Sequence, residues 1–366
     1  MSIYLGYGYL TWTTGTYWEN ALRKLADVKF CGIGKESFPE ANAGFDIASS
    51  LPAVRETDVF IYIDSGEPYF PRNIHKLRCL TACYLIDLHV DCAFRMELAK
   101  YFDVIFLAQK DYLEVFNKKG FKNVFWVPFG ADPEIYLKQD LPIKYDIGFV
   151  GHVRSDNLKR NKLLESLSNK YLMNDFRKVY TPEETSRIYC SSKMIFNCSA
   201  NGDLNMRVFE ALSCGRMLLT DNIGNGLTDL LQDRRHLVIF RNEDELYALT
   251  EYYLKNDSER EAIGRAGHQH FLLNHTYEQR MKLVLELICA QQRANPEAKA
   301  FFREKSSMDI SLSMAAIYSH WKLSAEAGKE LFKDNTLSTF ILKCWYLLKI
   351  RLQQVKNILL KRLSNK

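Results

Sequence analysis

Residues 201–227 read NGDLNMRVFEALSCGRMLLTDNIGNGL. An apolar run at helical spacing stops at Cys214-Gly215, and RMLLTD (216–221) follows as a short stretch of strand character. A helix passing this quickly into an apolar strand is one step of an α/β layer, in which a parallel sheet is covered on both faces. The helix carries a single acid, Glu210, among apolar neighbours. The purpose of that carboxylate is the question the rest of the chain has to answer.

Outward from this stretch the same alternation continues. YDIGFVGH (145–152), FRKVYT (176–181), MIFNCS (194–199) and HLVIF (236–240) read as further strands. NLKRNKLLESLSNKY (157–171), PEETSRIYCSS (182–192) and EDELYALTEYYLKN (243–256) read as helices between them. The first half has the strands SIYLGY, VKFCGIG, VFIYID, TACYLIDLH, VIFLAQ and VFWVPF, with YWENALRKLAD and KDYLEVFNKKG as helices. ADPEIYLKQDLPIK (131–144), rich in proline and charge, breaks the pattern. Two doubly wound units joined there leave a cleft between the carboxyl ends of their strands, where such sheets bind ligands. The expected domains are 1–138, 139–290 and a helical extension, 291–366.

Composition narrows the function classes. With 366 residues, 47% hydrophobic, the chain is long enough for two domains with their own cores. The nine cysteines are odd in number and scattered, without a paired CxxC or histidines at zinc spacing, which predicts reduced thiols in a cytoplasm and no structural metal. No signal-like start and no run of about 18 uncharged apolar residues is found, so neither a cleaved export signal nor a membrane span is expected. The net charge of +5 is concentrated in residues 337–366, which hold Lys343, Lys349, Arg351, Lys356, Lys361, Arg362 and Lys366 and no acid. The remaining body is slightly acidic, which argues against nucleic acid as a partner. The tail itself has an apolar stripe through Ile341, Trp345, Leu348, Leu352, Val355 and Leu359. It reads either as an amphipathic helix on an anionic membrane at the inner face or as a coiled-coil or docking helix.

Several segments in register carry a family likeness. YDIGFVGHVR, YTPEETSRIYCSSKMIFNCS, DLNMRVFEALSCGRMLLTD with NGLTDLL, and AGHQHFLLNHTYEQR resemble the nucleotide-sugar half of GT-B glycosyltransferases. YFPRNIHKLRCLTACYLIDLH and AKYFDVIFLAQKDYLEVFNKKGFKNVFWVPFGADPEIY extend the likeness to the spore-protein CgeB-like subgroup. The resemblance implies a GT-B fold and transfer of a sugar from a nucleoside diphosphate to a glycan, lipid or protein acceptor. It implies no cofactor beyond that donor. It also gives Glu210 a use: in such transferases a carboxylate on this helix accepts hydrogen bonds from the donor ribose. Many retaining relatives carry a second glutamate eight positions earlier, where this chain has Gly202. That departure keeps open a second reading, an inactive nucleotide-sugar or glycan binding module.

The remaining candidates follow from local chemistry. GHVRSDNLKR runs from a strand into a helix, where Gly151 permits a tight turn, free N–H groups face a ligand, and Arg154 with Lys159 or Arg160 can neutralise phosphate. Asn205 and Arg207 open the next helix toward the same cleft, with His152 and Tyr180 completing the donor side. No DxD pair follows a strand, so cations and helix dipoles are expected to do the work of a metal ion. In the first half, Asp87, His89 and Asp91 end an apolar strand, and His89 matches a histidine that GT-B enzymes hold near the transferred sugar. Gly8, Trp12 and Asp64 are the acceptor-side candidates. The glycines Gly6, Gly8 and Gly15 lack GxGxxG spacing, which disfavours a dinucleotide-dependent oxidoreductase.

Overall fold

The structure, a computed structural model, describes residues 1–35, 46–51, 54–67, 69–153 and 157–294. Arg154 and the cationic tail at 337–366 lie outside the described residues. Among the described residues no helix is long and apolar enough to cross a membrane.

Among the described residues, ten strands form two parallel sheets. The first contains β1 (Ser2–Gly8), β2 (Asp27–Phe30), β3 (Val59–Gly66), β4 (Leu80–Leu85), β5 (Val104–Leu107) and β6 (Val124–Trp126), in the order β2-β1-β3-β4-β5-β6. The second contains β7 (Tyr145–Gly148), β8 (Ser192–Asn197), β9 (Met217–Asp221) and β10 (Val238–Phe240), in the order β10-β9-β8-β7. The near-continuous apolar strands follow from burial on both faces. Ile3, Leu5 and Tyr7 of β1 join one core, while Tyr4, with Phe60 and Tyr62 of β3, joins another on the opposite face. The direction of strand addition reverses between β1 and β3, and a crevice at the carboxyl ends of such a pair is where this kind of sheet takes ligands.

One strand expectation fails. FRKVYT at 176–181 is turn and coil. Asp175 Oδ1 accepts from the Arg177 amide at 3.1 Å and Phe176 is buried, which folds the segment on itself. The free edge of β7 is taken by residues just before it: Leu172 O accepts from Asp146 N at 2.8 Å, and Met173 bridges Ile147.

The two halves share packing as well as a linker. The core on one face of the first sheet runs on through Tyr136, Tyr189, Val208 and Leu212 to Tyr277, Met281 and Ile288. Helix Tyr277–Ala294 turns back onto helix Thr14–Arg23 of the first half, with the Tyr17 and Tyr277 rings stacked at 5.3 Å. Lys24 pairs with Glu134 of the linker, and Thr276 bridges Ala131. The two sheets thereby present their carboxyl ends to one another. Asp111 N, beyond β5, donates to Asn225 Oδ1 at 3.3 Å, and Lys110 pairs with Asp229, beyond β9, at 2.9 Å.

Candidate active site

Asn197, at the end of β8, organises the second-domain side of the cleft. Its side chain is fully buried, and its Nδ2 donates to Thr220 Oγ1 at 2.9 Å. Its Oδ1 accepts from Arg207 Nη1 at 2.6 Å and from Asn205 Nδ2 at 3.3 Å. Arg207 also donates through Nε to the Val150 carbonyl at 2.6 Å and lies 4.5 Å over the Phe149 ring. The arginine thus ties the loop after β7 to the helix after β8. Gly151 is required for that: a Cβ there would sit 1.9 Å from Arg207 Nη2. The chain bends at Gly151, and the glycine also makes room for the close approach of Arg207. Asn205 precedes helix Met206–Ser213 without using its side chain as a cap, and its Oδ1 is buried with no partner.

Glu210 lies in the second turn of this helix, whose first turn holds no acid. Burial raises its carboxyl above the usual range, while the Arg207 charge and a hydrogen bond from the Tyr136 hydroxyl pull it back. Tyr136 belongs to the linker, and its hydroxyl lies 3.4 Å from that of Tyr17 in the first domain.

The other donor-side candidates are spread around this centre. Helix Leu158–Ser168 opens on Asn157, whose Oδ1 accepts from the Arg160 amide at 3.4 Å. His152 is exposed and its carbonyl accepts from the Arg160 side chain, which lies 5.9 Å over Phe149. Arg160 is thus engaged with the loop, whereas Lys159 is exposed and its charge reaches Asp221 at the end of β9. Burial raises the Asp221 carboxyl, opposed by the Ser199 amide, which donates to it at 3.0 Å. Tyr180 donates to the Asp175 carbonyl at 2.9 Å, on the face where Lys178 covers its ring.

On the first domain, Gly8 and Gly66 meet at the ends of β1 and β3. A Cβ on Gly8 would lie 2.0 Å from the Glu67 carbonyl, so glycine here serves backbone crossing. Asp64 pairs with Arg95 at 2.9 Å. Its carboxyl is nevertheless pushed up to about 6 by burial, with Arg95 opposing and Asp87 adding to the rise. Asp87 takes a left-handed φ of 51°, which turns the chain after β4. Two residues on, His89 Nδ1 is buried with no hydrogen-bond partner. Asp91 caps helix Cys92–Ala99, accepting from Phe94 N at 2.9 Å. Gln109 accepts from Leu88 N at 3.4 Å and leaves its Nε2 buried without a partner. Of the aromatic residues after β1, Tyr17 and Trp18 are core, whereas Trp12 is 46% exposed with a left-handed φ of 62°. Among the described residues no cluster of histidine, cysteine and acid side chains is arranged to hold a metal ion.

Sequence reasoning missed Asn197, Asn225 and Tyr136 as parts of this region. Asn197 had a signal, a polar residue closing an apolar strand. Asn225 had a weaker one in the glycines around it; its Nδ2 holds the Gly202 carbonyl at 3.2 Å. Tyr136 had none, because only the packing of the linker brings it near Glu210.

The fold and the cleft define a two-domain α/β protein of GT-B architecture. Residues 159–286 match the family model described as glycosyl transferase-like. No curated protein matches the chain. Among solved structures, an alpha-glucosyltransferase in complex with UDP-glucose and abasic-site DNA is 12% identical, with a TM-score of 0.56 over 79% of this chain and 98% of that one. A sucrose-phosphate synthase from Thermosynechococcus elongatus is 11% identical, with a TM-score of 0.54 over 80% and 99%. TarM is 13% identical with a TM-score of 0.48, and the match spans 66% of this chain and 57% of TarM.

Proposed function

We propose that the protein is a glycosyltransferase that moves a sugar from a nucleoside diphosphate to an acceptor held against the first domain. The observation that carries this reading is Glu210: a partly buried carboxylate, one turn inside a helix at the carboxyl edge of the second sheet, next to the Arg207–Asn197 brace. A charged acceptor there suits the paired hydroxyls of a ribose, each such bond contributing about 1.5 to 3 kcal/mol. The amino ends of helices Leu158–Ser168 and Met206–Ser213, with Lys159 nearby, suit the diphosphate. Arg154 is proposed as a further phosphate ligand. Across the cleft, His89 is the candidate to act on the reacting sugar, and the exposed Trp12 the candidate to receive a glycan acceptor. The match to the glycosyl transferase-like model covers the region from Lys159 through Glu210, which supports the donor half of this assignment.

Gly202 supports the competing reading of a binding module. It has a left-handed φ of 71°, open space at the Cβ position, and no side chain to meet a sugar. Donor turnover separates the two. The full-length protein is incubated with UDP-, GDP- and ADP-linked sugars and free nucleoside diphosphate is measured. A transferase releases nucleoside diphosphate slowly to water and faster when an acceptor is present. Binding of a nucleotide sugar with no release under either condition would establish the module instead.

A further inference from the structure

Residues 224–226, beyond β9, form a seam with the first domain, and one of them reaches further. A Cβ on Gly226 would run into the Trp126 ring at the end of β6, and a Cβ on Gly224 would sit 3.4 Å from Asp111 Oδ2. Between these glycines Asn225 is buried and takes a left-handed φ of 54°. Both ends of its side-chain amide are used. Oδ1 accepts from the Asp111 N–H of the first domain at 3.3 Å, and Nδ2 donates to the Gly202 carbonyl at 3.2 Å. A backbone N–H only donates and a carbonyl only accepts, so turning the amide round would break both contacts, and its orientation is fixed. Gly202 belongs to the loop between β8 and helix Met206–Ser213. The start of that loop is held from within its own domain, where Asp221 Oδ1 accepts from Ser199 N at 3.0 Å and Ser199 Oγ donates to Asp203 Oδ1 at 2.8 Å. Its middle is held by Asn225, which is bonded to the first domain as well.

The use of this loop follows from the donor reading. With the ribose at Glu210 and the diphosphate at the amino end of helix Met206–Ser213, about 6 Å back along the axis, the next segment in that direction is the Gly202 loop. A sugar carried on the diphosphate therefore meets this loop at the seam between the domains. We propose that Asn225 is a positioning residue for the transferred sugar: it holds the Gly202 loop against the first domain, so that the place for the sugar, unlike that for the nucleoside diphosphate, depends on this one side chain. The inference rests on the donor reading of Glu210 and its helix. The neighbouring ion pair does not replace it. Lys110 and Asp229 pair at 2.9 Å with both side chains exposed, and an exposed pair of that kind adds little and leaves the loop out.

Asparagine, aspartate and glycine all tolerate the left-handed conformation, so two substitutions probe the amide with the backbone kept. Asn225→Asp retains an acceptor for the Asp111 N–H but sets an oxygen against the Gly202 carbonyl. Asn225→Gly removes both contacts, and Lys110→Met breaks the exposed ion pair alone. Calorimetry on full-length wild type and the three variants compares UDP, GDP and ADP with their glucose-linked forms, with UDP-N-acetylglucosamine and with GDP-mannose, and donor turnover is followed alongside. For the donor that wild type binds best, both Asn225 variants should lose about tenfold in affinity and in kcat/KM, while the parent nucleoside diphosphate stays within about twofold of wild type. Lys110→Met should match wild type. A structural role alone would lower both ligands together. Equal losses for the sugar-linked and parent nucleotides, wild-type behaviour of both Asn225 variants, or an equal loss in Lys110→Met would refute the positioning role while the donor reading stands. So would a wild type that binds a nucleoside diphosphate but none of the sugar-linked forms. If wild type binds neither kind of ligand, both are refuted.

Discussion

The junction where the chain leaves the second domain for the first should be acid-labile. His236 and His270 stack at 4.1 Å, His270 meets His275 edge-on at 4.9 Å, and Arg280 Nη2 lies 2.8 Å from His275 Nδ1. Arg280 is itself buried, and its guanidinium donates to the Phe129 and Asn274 carbonyls. Burial, with Arg280 adding to it, pulls His275 from its ordinary 6.5 down to about 3, and burial with His270 pulls His236 down to about 4. These are depressed bases, so the folded state binds fewer protons than the unfolded chain between the two values. Their stabilisation is complete above pH 6.5 and is lost as pH falls toward the folded values. Between pH 7.5 and pH 5 each costs about 2 kcal/mol, from about 1.36 kcal/mol per unit of unmatched protonation. Asp64, raised to about 6, works in the opposite sense and returns about 1 kcal/mol over the same interval. The cleaner observable is consequently a difference between proteins. Urea unfolding of wild type and His275→Gln is followed at pH 7.5, 6 and 5. The glutamine can still accept from Arg280 but cannot titrate, so the variant should lose about 2 kcal/mol less than wild type on acidification. Parallel stability curves for the two proteins would refute the assignment of His275 as a depressed base.

Other outcomes follow from the site. Arg207→Met removes two charged hydrogen bonds and frees the loop after β7. It should destabilise the fold by about 3 kcal/mol in urea and weaken nucleoside diphosphate binding, and a neutral substitution would show that the brace is idle. His89→Ala should lower donor turnover about 10²-fold with nucleoside diphosphate affinity retained, because its effect belongs to the transition state. Normal turnover would remove His89 from the chemistry. Asp64→Asn keeps the shape but discharges the pair with Arg95. If Asp64 titrates near 6 in the folded protein, the pH dependence of turnover between 5 and 7 should flatten in the variant, whereas an unchanged profile would confine Asp64 to packing.

How far the sequence carried depended on the range of the interactions involved. The strands of both sheets were legible because burial on both faces demands unbroken apolar runs, such as Ile3 through Tyr7 or Met194 through Phe196. FRKVYT misled because aromatic and β-branched residues favour a strand only when an edge is open to receive them, and Leu172–Met173 had already taken the edge of β7. At the site, Arg207 and Asn205 were singled out by their place at the opening of one helix, and Glu210 by the family likeness of that helix. Gly151 was singled out for a turn, and its further use, making room for Arg207, shows only in the structure. The neighbours of Glu210 could not be read in the same way, since Tyr17 and Tyr136 are 119 residues apart and meet only through the linker and the helix that returns to the first domain. The state of its carboxylate was equally invisible, being set by burial.

The most direct measurement is calorimetric binding of UDP, GDP and ADP, with their 2′-deoxy analogues, to the full-length protein and to Glu210→Gln. The account predicts that at least one ribonucleotide binds wild type, that glutamine in place of Glu210 costs it about tenfold or more, and that the deoxy analogue loses far less. No binding of any nucleoside diphosphate, or equal losses for the ribo and deoxy forms, would contradict it.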